Sequence, residues 1–308
     1  MTTLRSRLRA GAVATAVLGV GLVVGCSAAV PPTAELSDGL PEPALTHVHG
    51  VDVDDVRERV TIATHYGLLT IDISQTADSS AAPSVLGDYR GDVMSFVRVG
   101  DEFLLSGHPP AGSADAPNVG VIGATLEVTS WQPLALKGEV DFHAMSSVGA
   151  DENAVVAGLD SVTGSVMTSL DAGRSWQSGS PISARDIAVA PSGSRLIVTT
   201  ELGPQLSEDR GLTWNVIDGA PLLILIASGV DDAGQPAVVG VDVDGVLHTS
   251  SDGLAWQPVG VVPFMPEAVG VGEGGTIALV STQRAMVSRD GGETWSSISD
   301  LSLPLVSN

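Results

Sequence analysis

Five histidines and a set of carboxylates carry the chemistry that this sequence offers. His47 and His49 are spaced i, i+2, as are Asp141 and His143, so each pair projects to one side of an extended strand. His65 and His108 follow short apolar runs, and Asp92 precedes another. Three or more neutral imidazoles with a carboxylate suit a transition metal such as Zn or Cu, with Ni and Fe also within the ligand type. The same groups suit a small polar ligand. Asp92, Asp141, Glu201 and Glu267 open a second chemistry, because two carboxylates at a set separation hydrolyse a glycosidic bond, and sequence does not give that separation. A single histidine at a strand end is ordinarily a hydrogen-bonded loop residue. Either chemistry therefore requires a fold that gathers these scattered positions.

The elements that position them are repeats. Ser169, Asp171, Gly173 and Trp176 form a group that recurs as Ser207, Asp209, Gly211 and Trp214 and as Ser288, Asp290, Gly292 and Trp295, all reading S-x-D-x-G-x-[ST]-W. Ser250, Asp252 and Trp256 form a version one residue shorter, and Thr129-Ser130-Trp131 keeps the tryptophan. The five tryptophans are spaced 45, 38, 42 and 39 residues apart. A period near forty is the length of one four-stranded propeller blade. Ser and Asp side chains accept bonds from turn amides, Gly supplies positive φ, and Trp packs between sheets. The pattern resembles the Asp-box, or bacterial neuraminidase repeat, of sialidases, sortilin-type receptors and photosystem assembly-factor propellers. That resemblance places each box between the third and fourth strands, away from the ligand face, and gives it a structural role.

Short alternating runs bounded by Gly, Asp and Pro fill the intervals, and no stretch past the amino terminus has the pattern of a long amphipathic helix. The expected fold is all-β, a six-bladed β-propeller over residues 45–302, with blades beginning near 45, 92, 141, 184, 222 and 266. In a propeller, the start of the innermost strand and the end of the second strand open onto one face. His47, His49, His65, Asp92, His108, Asp141 and His143 all map to such places over the first three blades. Arg185, Asp186, Glu201, Asp242, Glu267 and Gln283 continue the rim. The insert from His108 to Asp115 is expected to run over the same face. Val241-Asp242-Val243-Asp244-Gly245 reads as a hairpin turn or, alternatively, a calcium loop.

The amino terminus reads as an address. Arg5, Arg7 and Arg9 precede an apolar run that ends at Gly25-Cys26, and the chain has one cysteine. This resembles the bacterial lipobox, which implies a lipoprotein signal peptide over 1–25, a lipid (palmitate-type) on Cys26 and a proline-rich flexible tether over 26–44. The domain would then be exported and held at the outer face of the cytoplasmic membrane, in the Gram-positive or actinobacterial manner. Loss of residues 1–25 moves the net charge from −22 to −25. Such an acidic chain lacks the Lys/Arg footprint of a nucleic-acid reader.

Thr46-His47-Val48-His49-Gly50, Thr64-His65-Tyr66-Gly67, Ser106-Gly107-His108-Pro109 and Asp141-Phe142-His143-Ala144 resemble exported bacterial propellers named as glycosyl hydrolases or exo-sialidase-like proteins. A sialidase resembling this fold needs an arginine triad, a Tyr/Glu pair and a Phe-Arg-Ile-Pro signature. The chain lacks the signature and has only Tyr66 and Tyr89, which argues against sialic-acid cleavage. The leading expectation is a membrane-anchored propeller that binds a metal or small polar ligand through His47, His49, His65, His108, His143, Asp92 and Asp141. A glycoside hydrolase acting on a glycan, and an assembly scaffold for envelope proteins, are the two alternatives. Whether the chain is catalytic stays open at this level.

Overall fold

The computed structural model describes residues 47–74, 83–126, 130–231 and 233–301. The segments read as signal peptide and tether, with Cys26, lie outside the described residues, as does Thr129 beside Trp131. All regular structure among the described residues is β, and no helix there is long and apolar enough to cross a membrane.

Among the described residues, twenty-four strands form six sheets of four, each built from consecutive antiparallel strands. The first blade contains β1 (Val48–Asp54), β2 (Arg59–Thr64), β3 (Gly67–Asp72) and β4 (Ser84–Leu86). The second contains β5 (Asp92–Val99), β6 (Glu102–His108), β7 (Val121–Thr125) and β8 (Gln132–Ala135). The third contains β9 (Phe142–Val148), β10 (Val155–Asp160), β11 (Ser165–Ser169) and β12 (Gln177–Pro181). The fourth contains β13 (Asp186–Val189), β14 (Leu196–Thr199), β15 (Gln205–Ser207) and β16 (Asn215–Val216). The fifth contains β17 (Leu223–Val230), β18 (Pro236–Asp242), β19 (Val246–Ser250) and β20 (Gln257–Val261). The sixth contains β21 (Ala268–Val271), β22 (Ile277–Val280), β23 (Arg284–Ser288) and β24 (Ser296–Asp300). The inner strands β1, β5, β9, β13, β17 and β21 neighbour one another in a closed ring. Blade number and blade starts match the spacing of the tryptophans.

Short hydrophobic strands such as Leu196–Thr199, buried at every position, form because both faces of each sheet are covered by neighbouring blades. The core is accordingly divided among the blade interfaces. Val97, Leu104 and Val121 of the second blade pack with Phe142 and Val156 of the third, and Trp176 closes that layer. Trp131, Trp214, Trp256 and Trp295 take the same place at four other interfaces. Each indole stands immediately before an outer strand and packs back toward the preceding blade. The interface joining the sixth blade to the first has no tryptophan. Val60, Ile62, Leu69 and Ile71 meet Ala278, Val280, Ala285 and Val287 there. Polar straps reinforce it: Arg289 donates to the Ile73 carbonyl at 2.7 Å, and the Gly274 amide donates to Asp55 at 2.6 Å.

The boxes sit between third and fourth strands, as their resemblance implies. In the third blade the Ser169 hydroxyl donates to Asp171 Oδ1 at 2.7 Å and accepts from the Gly173 amide at 2.8 Å. Asp171 also accepts from the Ser175 amide at 2.8 Å and its hydroxyl at 2.6 Å. Those donors hold the Asp171 carboxyl down at about 2, against a small opposing effect of burial. Gly173 has φ +81° and packs on Leu104 of the preceding blade, so it is required both for backbone shape and for close approach. The residue before it is also left-handed: Ala172 at φ 55° and Arg210 at φ 63° occupy a position that the sixth-blade box fills with Gly291. Non-glycine residues there cost about 1 kcal/mol each.

Arg210→Gly, at an exposed side chain, should therefore raise stability in urea unfolding by about 0.5 kcal/mol, the strain relief being partly offset by glycine's unfolded-state entropy. Trp214→Ala should lower it by about 3 kcal/mol through the lost interface packing. Equal midpoints for wild type and Trp214→Ala would contradict the role assigned to the indole.

Candidate functional site

The inner strands surround a central cavity of about 820 Å³. Because β1, β5 and β9 all start at the same end, their first residues converge on one mouth. His47 immediately precedes β1 and His49 lies within it, while His65 follows β2. Their rings cluster, with centroids 4.7 Å apart for His47 and His49 and 4.6 Å for His49 and His65. One nitrogen from each of the three lies within 4.8 Å of the others. Asp92, opening β5, completes the group from the second blade. His49 Nε2 lies 3.4 Å from His65 Nδ1 and 3.6 Å from Asp92 Oδ1, and His65 Nδ1 lies 2.9 Å from that oxygen. The His49 side chain is only 9% exposed, whereas that of His47 is 56% exposed, so one imidazole is embedded and another faces the mouth. Burial pushes His49 down to about 4, against the attraction of Asp92 and with help from repulsion by the neighbouring histidines. It is a neutral imidazole at pH 7, with a lone pair to offer.

A second group lies beside it, where the second and third blades meet. His143 Nε2 is 2.8 Å and His108 Nε2 is 3.7 Å from Asp141 Oδ2, which also accepts from the Ser161 hydroxyl at 2.8 Å. Burial alone would raise the Asp141 carboxyl, but hydrogen bonds from His143 and Ser161 reverse the effect and hold it below the usual range. The bond to Asp141 raises His143, against burial. His108 Nδ1 lies 3.0 Å from the Pro117 carbonyl, so the insert 109–120 orients this ring. The expected path of the insert over the histidine face agrees with this contact.

The remaining rim positions divide. Glu267 lines the cavity, yet its two oxygens accept from the amides of Val48 at 3.2 Å and Thr282 at 2.9 Å. It anchors the backbone between His47 and His49. Asp186 accepts from the amides of Ile187 and Ile226, both at 2.9 Å, and so joins the fourth blade to the fifth. Arg185 lines the cavity, whereas Glu201 sits exposed in the turn after β14 and Gln283 in the turn after β22, neither on the cavity wall. Asp242 turns away to His248, at 2.8 Å, and accepts from the amides of Asp244 and Val246. That geometry is the hairpin turn rather than a calcium loop. His248, the sixth histidine, is a buried structural partner. At the far end of the cavity Arg98 bonds Glu273 at 2.5 Å and the Val53 carbonyl at 3.1 Å, tying three blades together. It is engaged there, remote from the histidine mouth, and does not build an arginine cluster with Arg185. Ser161 and the Pro117 carbonyl were not legible as site residues: a turn serine has no distinguishing pattern, and a carbonyl contact has no side-chain signature.

Fold and repeat together define the class, a six-bladed β-propeller with Asp-box repeats. A family model for the BNR/Asp-box repeat matches residues 286–297, the box of the sixth blade. Among solved structures, the chain is similar to one described as a nidogen/laminin complex, with a TM-score of 0.58, 10% identity, and 81% of this chain and 96% of that chain covered. It is also similar to YCF48 bound to D1 peptide, with a TM-score of 0.48, 16% identity, and 86% and 85% covered. The GH74 xyloglucanase from Xanthomonas campestris gives a TM-score of 0.48 at 12% identity, over 83% of this chain and 55% of that chain, so the present chain spans about half of it. No curated protein matches the sequence. At these identities the likeness is one of fold.

Burial pushes the Asp186 carboxyl up to about 6 from an ordinary 3.8, against hydrogen bonds from the Ile226 and Ile187 amides. The folded protein keeps this proton between about pH 4 and 6, where the unfolded chain has lost it, so this group makes stability fall as pH rises through that window. Asp186→Asn does not titrate. Its unfolding free energy relative to wild type should improve by about 2 kcal/mol between pH 4 and pH 7, after discounting for partial solvent contact. A pH-independent difference in paired urea titrations would contradict the raised carboxyl.

Proposed function

We propose that this protein binds a first-row transition metal, Zn(II) or Cu(II), at the mouth of the propeller through His47, His49, His65 and Asp92. One observation carries the reading: the spacing of His49 Nε2, His65 Nδ1 and Asp92 Oδ1 at 3.4, 3.6 and 2.9 Å. Ligand atoms bound tetrahedrally at about 2.0–2.1 Å from an ion are about 3.3 Å apart. Three atoms from two blades thus stand near the corners of such a tetrahedron, and His47 offers a third imidazole, the fourth ligand, from the exposed side. Imidazole with one carboxylate favours Zn, Cu or Ni over the oxygen-seeking Mg and Ca. The net charge of −22 gives the whole molecule a field that concentrates cations.

Supporting groups have the character such a site needs. Glu267 fixes Val48, the residue between two of the ligands, through a bond that also spans the closing blade interface. The site and the ring closure therefore share one strap. For paired-carboxylate hydrolysis the four candidates are less apt, since Glu201 sits exposed in a turn, Glu267 is engaged by backbone amides, Asp141 through Oδ2 by His143 and Ser161, and Asp92 by His65. In this reading the domain works outside the cell, anchored by a lipid on Cys26 and spaced by residues 26–44, with the mouth available to metal or to a small polar ligand bound on it.

Tag-free protein should bind Zn(II) in calorimetry. His49→Ala and His65→Ala should each weaken that equivalent by about 100-fold or more, at least as much as the loss of a supporting residue costs. Unchanged affinity in both variants would overturn the assignment.

A further inference from the structure

We infer that His108, His143 and Asp141 form a second metal site, so that the mouth holds two transition-metal ions side by side. This extends the metal reading of the neighbouring group, but its own residues and test are separable from it. The rotation that generates the propeller relates the two groups in part. In the first group, the histidine after the second strand of one blade, His65, meets the aspartate opening the next blade, Asp92, at 2.9 Å. One blade further round, the histidine ending the second strand, His108, meets Asp141 at the start of the third blade at 3.7 Å. An inner-strand histidine completes each group, from opposite sides of the junction: His49 from β1, in the blade of His65 and 3.6 Å from Asp92, and His143 from β9, in the blade of Asp141 and 2.8 Å from that aspartate. The strand-end histidine and the blade-opening aspartate thus recur at successive blade junctions, each pair with an inner-strand histidine beside it. The recurrence then ends. At the third junction the corresponding positions are Asp160, which accepts from the Asp141 amide at 3.0 Å, and Asp186, which accepts only backbone amides.

Two further observations point to a ligand at the second junction. His108 has its Nδ1 against the Pro117 carbonyl at 3.0 Å, which places the proton on Nδ1 and leaves the Nε2 lone pair aimed at Asp141. A backbone carbonyl on the far nitrogen is the usual way in which a metal-binding imidazole is oriented. Asp141 has a side chain only 8% exposed, and its Oδ1 is buried without a hydrogen-bond partner. A buried carboxylate oxygen left in that state is costly unless a cation or a water takes it, and the other oxygen, Oδ2, is the one that faces the two imidazoles. Two imidazoles and a carboxylate leave a coordination position open, the arrangement of a reactive rather than a closed site.

The test is metal stoichiometry on the tag-free full chain, read by calorimetry with Zn(II) and by visible absorption with Co(II). The wild type should bind two equivalents. His108→Ala/His143→Ala, at side chains 38% and 42% exposed and therefore compatible with folding, should bind one, and His49→Ala/His65→Ala should bind the other. The two single-site cobalt spectra should sum to that of the wild type. A single equivalent lost only with His49 and His65 overturns the second site and leaves the first. A single equivalent lost only with His108 and His143 supports the second site and overturns the first. No binding, or two equivalents unaffected by the His108/His143 change, also overturns this inference.

Discussion

Each blade satisfies its own backbone hydrogen bonds but leaves two apolar faces, and the need to bury both of them against neighbours is the constraint on which this molecule depends. A single four-stranded sheet with strands as apolar as Leu196–Thr199 or Ile277–Val280 cannot stand alone in water. Six of them packed around an axis bury every face once the ring closes. At five of the six interfaces a tryptophan before the outer strand, in four of them following an Asp-box, is the wedge that sets the contact with the preceding blade. Box glycines belong to the same device: a Cβ on Gly253 would lie 2.0 Å from Ile197, and one on Gly292 would lie 2.2 Å from Leu247, both on preceding blades. The boxes therefore act on blade spacing, at the end remote from the histidines.

The histidine mouth follows from that packing. Once the inner strands stand in a ring, their first residues share a rim, and groups from separate blades come within bonding distance. His65 and Asp92 are 27 residues apart in sequence, and His49 reaches the same carboxylate from another strand. The closing interface lies beside this cluster and lacks the tryptophan found at the other five. Polar contacts from Glu267, Asp55 and Arg289 join its two sides. The backbone carrying His47 and His49 thus depends on a contact between the beginning and the end of the propeller.

Much of the architecture was legible from residue spacing. The five tryptophans marked five blades, and the strand grammar supplied the sixth, the blade without a tryptophan. Which rim carboxylates reach the mouth was not legible. Glu201 and Glu267 occupy comparable positions in the sequence pattern, yet one is solvent-exposed in a turn and the other lies on the cavity wall bonded to Val48 and Thr282. Asp242 has the spacing of a rim residue but is drawn off by His248 on the next strand. Such outcomes depend on side-chain direction and on competing partners, which local pattern does not encode.

The sequence by itself determined the blade count, the positions of the boxes and the set of side chains that could gather at one face, because each of these follows from a local periodicity of two residues along a strand or about forty along the chain. Tertiary structure decided the pairings. It assigned His49 and His65 to Asp92, His108 and His143 to Asp141, and Arg98 to the opposite end of the cavity with Asp52 and Glu273. Those choices belong to distances across blade interfaces, fixed only when all six sheets bury their faces together.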